Sequence, residues 1–335
     1  MPVAPALGLG DSYDPLPAWS AVPKTLVHKR HAAQVLLTGW SRTSADRYQI
    51  KASWPMDDPF YVVRDRLHDP LLMVETVRQS FPLLCHAAYE VPFGHHLVWE
   101  YFRYALAPSS LHADGPDAEV LLEIEVQEAQ QRRERLSALT LAITLYRGGE
   151  PLGTANTRFT VQAPAVYQRL RAGGGGNAAA MFRAGPVATP VPAETVGRPH
   201  PDDVLLARAP GSGPGSDPAT GSWLLRAKTD HPYLFDHPVD HVPGAVLIDA
   251  ARQAAGAAAG DAALAAAMDC EFTRYVEFDQ PCRITATALP RDEAQRRRFV
   301  VEFQQTLPSS PSASSSPACS VVVTVCPAGT GGSAD

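Results

Sequence analysis

Two acidic residues each stand three positions ahead of an arginine in runs that are otherwise apolar. They are Glu75 and Arg78 in DPLLMVETVRQS (69–80), and Asp249 and Arg252 in PGAVLIDAARQA (243–254). Side chains three apart on a helix share a face. A carboxylate placed there can take a proton from a hydroxyl, and the guanidinium beside it can grip a phosphate through paired N–H groups. Most acid–arginine pairs at this spacing are solvated surface pairs. Here the flanking LLMV and AVLI point to buried helices, and charges are seldom buried for stability alone. Burial raises a carboxyl towards the range useful to a base, and the arginine opposes it. Glu75 or Asp249 is therefore expected to be the general base, with Arg78 or Arg252 as the anion anchor and helix-start amides for a carbonyl oxygen.

Further polar residues accompany both runs. Gln79 and Gln253 follow the arginines, and His68 and His241 precede the helices at matching places once a one-residue gap is allowed. His237 and His231 add to the second cluster. Such histidines can polarise a carbonyl or shuttle protons, or they can fix turns; His68, His237 and His241 are retained as substrate-facing candidates with the two glutamines. Lys29, within His28-Lys29-Arg30, is a candidate for phosphate or an acidic carrier, with a solvated strand end as the alternative; Arg274 is similar, as is Arg283.

Other chemistries find little support. The His-x₅-His-x₃-His run at 231–241 has no cysteine with it and is broken by proline, so no metal site is expected. Five cysteines with no C-x-x-C pair argue against a zinc site or a disulfide framework. The glycines at 173–176 lack the Lys-Ser/Thr of a phosphate loop. No G-x-S-x-G occurs, so direct transfer is favoured over a covalent acyl-enzyme. No cofactor is implied.

The elements that must position these residues are legible as two similar sets. Asp69-Pro70 is a helix start, and Pro243-Gly244 can open the second helix. Alternating β-branched runs at 120–127, 136–147 and 150–162 read as strands, with a hairpin turn at Gly148-Gly149. Runs at 270–278, 282–289, 297–307 and 319–326 do the same in the second half. The acid-x-x-Arg-Gln pattern, its aromatic-Pro lead-in and the strands that follow occur twice, which indicates an internal duplication. The expected layout is an N-terminal tail (1–19), repeat 1 (20–165), a Gly/Pro-rich linker (166–222) that holds no packed element, repeat 2 (223–328) and a C-terminal tail (329–335). The stretch Pro308 to Pro317 reads as an elongated hairpin loop, mobile like the linker.

In 335 residues, 45% of them hydrophobic, two ordinary domains can form. A formal charge of −6 and no basic run argue against nucleic acid. No apolar run of membrane-spanning length occurs, and the N-terminus lacks the features of a secretory signal, so a cytoplasmic protein is expected.

HPYLFDHPVDHVPGAVLIDAARQAA (231–255), LVHKRHAAQVLLTGW (26–40), HAAYEVPFGHHLVW (86–99) and FTRYVEFDQPCRIT (272–285) together resemble the AfsA-type A-factor biosynthesis family. The Pro-Gly-led helix is also similar to that of hot-dog dehydratases. The family resemblance implies an α+β tandem hot-dog fold, one helix wrapped by an antiparallel sheet in each repeat, the two repeats forming an intramolecular pseudo-dimer that can pair further as a homodimer. It implies an acyltransferase that moves a β-ketoacyl group from an acyl carrier protein (or CoA) thioester to the hydroxyl of dihydroxyacetone phosphate, followed by condensation to a butenolide phosphate. The second-repeat helix of the family more often carries Glu where this chain has Asp249. The alternatives are a hot-dog dehydratase or thioesterase, and a non-catalytic module that binds an acyl ligand.

Overall fold

The computed structural model describes residues 18–171, 177–208, 221–260, 263–306 and 316–327. The first half runs β1 (Leu37–Arg42), β2 (Arg47–Trp54), α1 (Leu71–Ala87), β3 (His96–Leu106), β4 (Ala118–Arg132), β5 (Arg135–Arg147) and β6 (Glu150–Gln162). Two short helices follow, α2 (Pro164–Leu170) and α3 (Asn177–Phe182). The second half runs β7 (Leu206–Arg208), β8 (Ser222–Leu225), α4 (Gly244–Ala259), β9 (Ala263–Phe272), β10 (Arg283–Leu289), β11 (Arg297–Gln304) and β12 (Cys319–Pro327).

All twelve strands join one antiparallel sheet in the order β1-β2-β4-β5-β6-β3-β9-β12-β11-β10-β8-β7. The second six strands repeat the first six in reverse, so the sheet has a pseudo-twofold at the β3–β9 seam. There Phe102 faces Cys270 and Tyr104 faces Met268.

The period-two pattern explains which face is buried. Tyr48, Ile50, Ala52 and Trp54 of β2 point inward, as do Leu139, Leu141, Ile143 and Leu145 of β5 and Val321, Val323 and Val325 of β12. Gly148 and Gly149 close the β5–β6 hairpin with φ of 58° and 85°, the doubly left-handed turn that matches strand twist.

Each half lays one helix on this inner face. Every residue of α1 from Leu71 to Cys85 is buried except Arg78, and every residue of α4 from Val246 to Ala257 is buried except Arg252. A helix buried all round belongs inside a core; here the arginine is the single break in burial in each, and the acid and glutamine beside it are buried polar groups. Asp69 Oδ1 accepts from Leu71 N at 2.9 Å, with Pro70 already helical, so the expected start holds. The five cysteines are buried as small core side chains. No helix among the described residues is long and apolar enough to cross a membrane.

Two expectations need correction. The segment 166–222 is not devoid of packed elements: it carries α3, two 3₁₀ turns (Ala193–Val196 and Pro201–Asp203) and β7, the edge strand of the second half. Its prolines and Gly197 punctuate turns between short elements. The run 270–278 leaves the sheet after Phe272, and β9 instead begins in the alanine-rich ALAAAM, whose composition masks a strand buried at the seam. Residues 172–176, 209–220, 261–262 and 307–315 lie outside the described residues, as do both chain ends; the glycine run and most of the Pro308–Pro317 loop, expected to be mobile, fall among them.

Candidate active site

Each arginine folds back on its acid. Arg78 Nε and Nη2 donate to the two Glu75 oxygens, both at 2.7 Å. Arg252 Nε and Nη2 donate to Asp249 Oδ1 at 3.1 and 2.7 Å. A second cation reaches each acid from a distant segment. Lys29 Nζ lies 3.0 Å from Glu75 Oε1, and Arg198 Nη2 donates to Asp249 Oδ2 at 2.5 Å.

The segments that deliver these cations are themselves duplicated. KTLVHKRHAAQVLL (24–37) and AETVGRPHPDDVLL (193–206) both form a 3₁₀ turn, a left-handed residue, the cation and a second 3₁₀ turn. The left-handed residue is His28 (φ 55°) in one and Gly197 (φ 67°) in the other. The glutamines fasten these segments to the helices. Gln79 accepts from Leu36 N at 3.0 Å and donates to Gln34 O and Glu75 Oε1, both at 2.8 Å. Gln253 accepts from Leu205 N at 2.8 Å and donates to Asp203 O at 2.9 Å and Asp249 Oδ2 at 3.3 Å. Both are fully buried and line neither cavity, which corrects their assignment as substrate-binding. Their amides position backbone and acid instead.

The electrostatics also reverse an expectation. Burial acts to raise the Glu75 carboxyl, yet Arg78 and Lys29 together hold it well below the usual carboxylate range. Burial likewise opposes ionisation of Asp249, and Arg198 and Arg252 still pull it down. Two cations per acid outweigh desolvation, so both carboxyls are held ionised.

The two constellations open on very different spaces. Glu75, Arg78 and Lys29 line a cleft of about 570 Å³, with an apolar arm formed by Val74, Phe81, Leu97, Trp99 and Phe159. Phe81 stacks on Phe159 at 4.5 Å and meets Trp99 edge-on at 5.4 Å. Arg252 and Arg198 line a cavity of about 70 Å³ with His68 and Asp69. Asp249 touches the wall of the large cleft but is only 1% exposed, shut in by its two arginines.

The start of α4 faces the large cleft. Val246 N bonds to Pro243 O, while Gly244 and Ala245 supply first-turn amides that have no acceptor within the helix. A Cβ on Gly244 would sit 2.6 Å from the Trp99 ring, so only glycine brings this helix end so close to the indole.

The remaining candidates separate. His237 and His241 line the large cleft. His241 Nδ1 lies 2.7 Å from Asp240 Oδ1, which also accepts from Tyr167 at 2.7 Å, and Arg171 donates to Asp240 Oδ2 at 3.0 Å. Burial foremost, then Arg78, lowers the His237 imidazole. His68 lies at the small cavity, 1% exposed, with no hydrogen-bond partner for either ring nitrogen and its ring edge-on to Trp54. Arg274 is not at either cavity: it donates to Ser316 O at 2.7 Å, on strand-flanking loops, and its role as a substrate contact is withdrawn. No group of three or more metal-ligating side chains is found among the described residues.

Sequence reasoning missed Arg198, His28 as distinct from its basic neighbours, and His86. The signal for Arg198 was present, since V-x-[KR]-x-His followed by Val-Leu-Leu occurs in both segments; one copy lay in text dismissed as linker.

Residues 11–163 and 180–322 match the A-factor biosynthesis hotdog domain, one copy on each half. A Streptomyces virginiae protein named 2-oxo-3-(phosphooxy)propyl 3-oxoalkanoate synthase is 37% identical over 288 residues, covering 85% of this chain and 94% of its own. A Streptomyces coelicolor protein of the same name is 36% identical, covering 80% and 82%. Among solved structures, an oleoyl thioesterase from Lactobacillus plantarum overlays with a TM-score of 0.49 at 12% identity, covering 84% of this chain and 96% of that one.

Proposed function

The chain belongs to the AfsA family of A-factor biosynthesis hotdog proteins, and from that membership we propose that it joins a 3-oxoalkanoyl group to a phosphorylated three-carbon ketol in the cleft beside Glu75. The relatives' name describes an ester. Its acid part is a 3-oxoalkanoate and its alcohol part is a 2-oxopropyl group carrying phosphate. The alcohol that gives this ester is dihydroxyacetone phosphate, and the activated acid is a β-ketoacyl thioester, with an acyl carrier protein as the proposed donor. No cofactor is needed, because the thioester already carries the activation. We place the reaction in the cytoplasm.

The observation that supports this reading is the shape and charge of one cleft. Its apolar arm suits an acyl chain, and Lys29, Arg30 and Arg78 add positive charge to its lining. Glu75 occupies Nε and Nη2 of Arg78, which leaves Nη1 of a side chain 24% exposed for a phosphate oxygen. Lys29 has three donors, of which two go to Glu75 and Gln34, so one remains. Glu75 thus serves as a clamp that fixes both cations. The Gly244 and Ala245 amides are suited to stabilise the oxyanion that develops on the thioester carbonyl, an interaction with a typical worth of about 10²–10³ in rate. His237 and His241 are suited to contact the phosphorylated acceptor at the rim.

Once the ester exists, the carbon between its two carbonyls is acidic. Attack of that carbon on the ketone of the alcohol part closes a five-membered ring, and loss of water gives the butenolide phosphate.

The test is incubation with a β-ketoacyl thioester, with and without dihydroxyacetone phosphate, followed by thiol titration and mass spectrometry. Thiol release that depends on the phosphate ester, with a product of ester or butenolide phosphate mass, is expected. Thiol release indifferent to it would mark a hydrolase and end this reading.

A further inference from the structure

We infer that His28 and His86 form a proton-accepting pair for the acyl transfer, with His28 Nδ1 as the atom that takes the hydroxyl proton. This rests on the reaction proposed above and supplies a proton acceptor apart from Glu75, both of whose oxygens are already taken by Arg78, Lys29 and Gln79.

The assignment follows from a chain of hydrogen bonds. His86 Nδ1 lies 2.6 Å from Val91 O. A carbonyl only accepts, so His86 carries its proton on Nδ1, and in the neutral ring its Nε2 is a lone pair. His28 Nε2 lies 2.7 Å from that Nε2 and therefore donates to it. In neutral His28 the lone pair is then on Nδ1. A backbone carbonyl thus fixes the tautomer of a ring two bonds away, and that ring lines the cleft beside Lys29 and Arg78.

A second observation is independent of the first. His28 holds φ of 55° and ψ of 40°, a left-handed conformation uncommon for a side chain with a Cβ. At the duplicated position the closed half has Gly197 in the same conformation, where glycine is at ease. The half with the open cleft keeps an imidazole at a position where its twin has relaxed to glycine, and such local strain gathers at functional sites.

The acceptor hydroxyl attacks the thioester carbonyl, and its proton moves to His28 Nδ1. The His28 Nε2 proton passes to His86 Nε2, which places the positive charge on the outer ring. Collapse of the tetrahedral species breaks the C–S bond, and the same two transfers in reverse deliver the proton to the departing thiolate. Burial foremost, then the charges of His86 and Arg78, lowers His28 to about 4, so its ring is neutral at neutral pH; His237 and His96 also face it and act in the same direction. Phosphate bound at Arg78 and Lys29 would offset that positive field when the proton must be accepted.

His28→Gly is the decisive variant, because glycine suits the left-handed backbone and removes only the imidazole. We expect thioester-to-phosphate-ester transfer to fall by about 10²–10⁴ in kcat, the usual worth of a positioned base, with KM for dihydroxyacetone phosphate little changed and activity partly restored by added imidazole. His86→Leu should cost less, roughly tenfold, since His28 keeps its place but loses its relay. ¹⁵N imidazole shifts of the wild-type chain should report His28 protonated on Nε2 and bare on Nδ1. Full kcat in His28→Gly, or a His28 ring protonated on Nδ1, overturns the inference while leaving the proposed reaction standing. Wild-type thiol release that ignores the phosphate ester overturns both.

Discussion

The two halves share a skeleton and differ in what surrounds it. Glu75 with Lys29 and Arg78, and Asp249 with Arg198 and Arg252, are each an acid between two cations, fastened by a matching glutamine, Gln79 or Gln253. One opens on about 570 Å³ and the other on about 70 Å³. The retained part is therefore what each helix needs to hold its buried acid. The histidine pair and the exposed cation ends belong to the first half only, and the cleft on which they open is completed by the second half's His237, His241 and the start of α4. The shorter acid also finds an explanation here. Aspartate is one methylene shorter than glutamate, and arginine is bulkier than lysine; the closed half pairs the short acid with the larger cation. Arg198 fills the space, places its charge over the Phe60 ring at 4.4 Å and reaches Asp69 at 3.5 Å.

Removing each acid should break the comparison most strongly. Asp249→Ala strands two guanidinium groups in a closed interior, and we expect a loss of about 3–5 kcal/mol in unfolding free energy, read from urea denaturation. Glu75→Ala should lose less stability, because Arg78 can turn to water, yet lose about 10²–10³ in acyl transfer while folded. Equal losses of turnover in both variants would mean that both halves are catalytic. Next, Asp249→Glu alone should overpack the closed half by about 1–3 kcal/mol, and adding Arg198→Lys should recover part of that loss. Strictly additive effects would sink the size compensation.

Gly244→Ala is expected to cost about 1–3 kcal/mol and to depress acyl transfer, since the added carbon meets Trp99. The matching place after Pro70 holds Leu71, a full side chain, so only one helix start is shaped for close approach. The smallest effect concerns pH. Burial first, then Arg147, lowers His68 from 6.5 to about 4, so on acidification the unfolded chain takes up a proton before the folded one. Stability from this group is complete above pH 6.5, declines as pH falls towards about 4 and is flat below. His68→Gln should therefore reduce the drop in urea midpoint between neutral pH and pH 5; an unchanged drop would remove His68 as its source.

Much of this was legible in the sequence. The apolar helices, each with one acid-x-x-Arg-Gln interruption, gave the duplicated cores, and Gly148-Gly149 gave a hairpin that the backbone angles explain. What stayed hidden was the second cation on each acid. Arg198 stands 51 residues before Asp249, across turns whose prolines mimic a linker; only the repeated V-x-[KR]-x-His text marks it, and local spacing does not reveal its contact with the acid. The direction of the carboxyl shifts was hidden for the same reason. One arginine against burial is an even contest, whereas two cations decide it. The His28–His86 contact spans 58 residues and joins a turn to a helix end, so only folded coordinates bring it into view.

The β3–β9 ladder that welds the halves has a consequence for how such a protein can change. In a pair of identical subunits every substitution is printed twice, so a residue harmful in one pocket is harmful in both. Here each copy has its own letters. One pocket was free to close around a bulky guanidinium and lend rigidity, while the other kept its hollow and tolerated an awkward backbone for the sake of a ring.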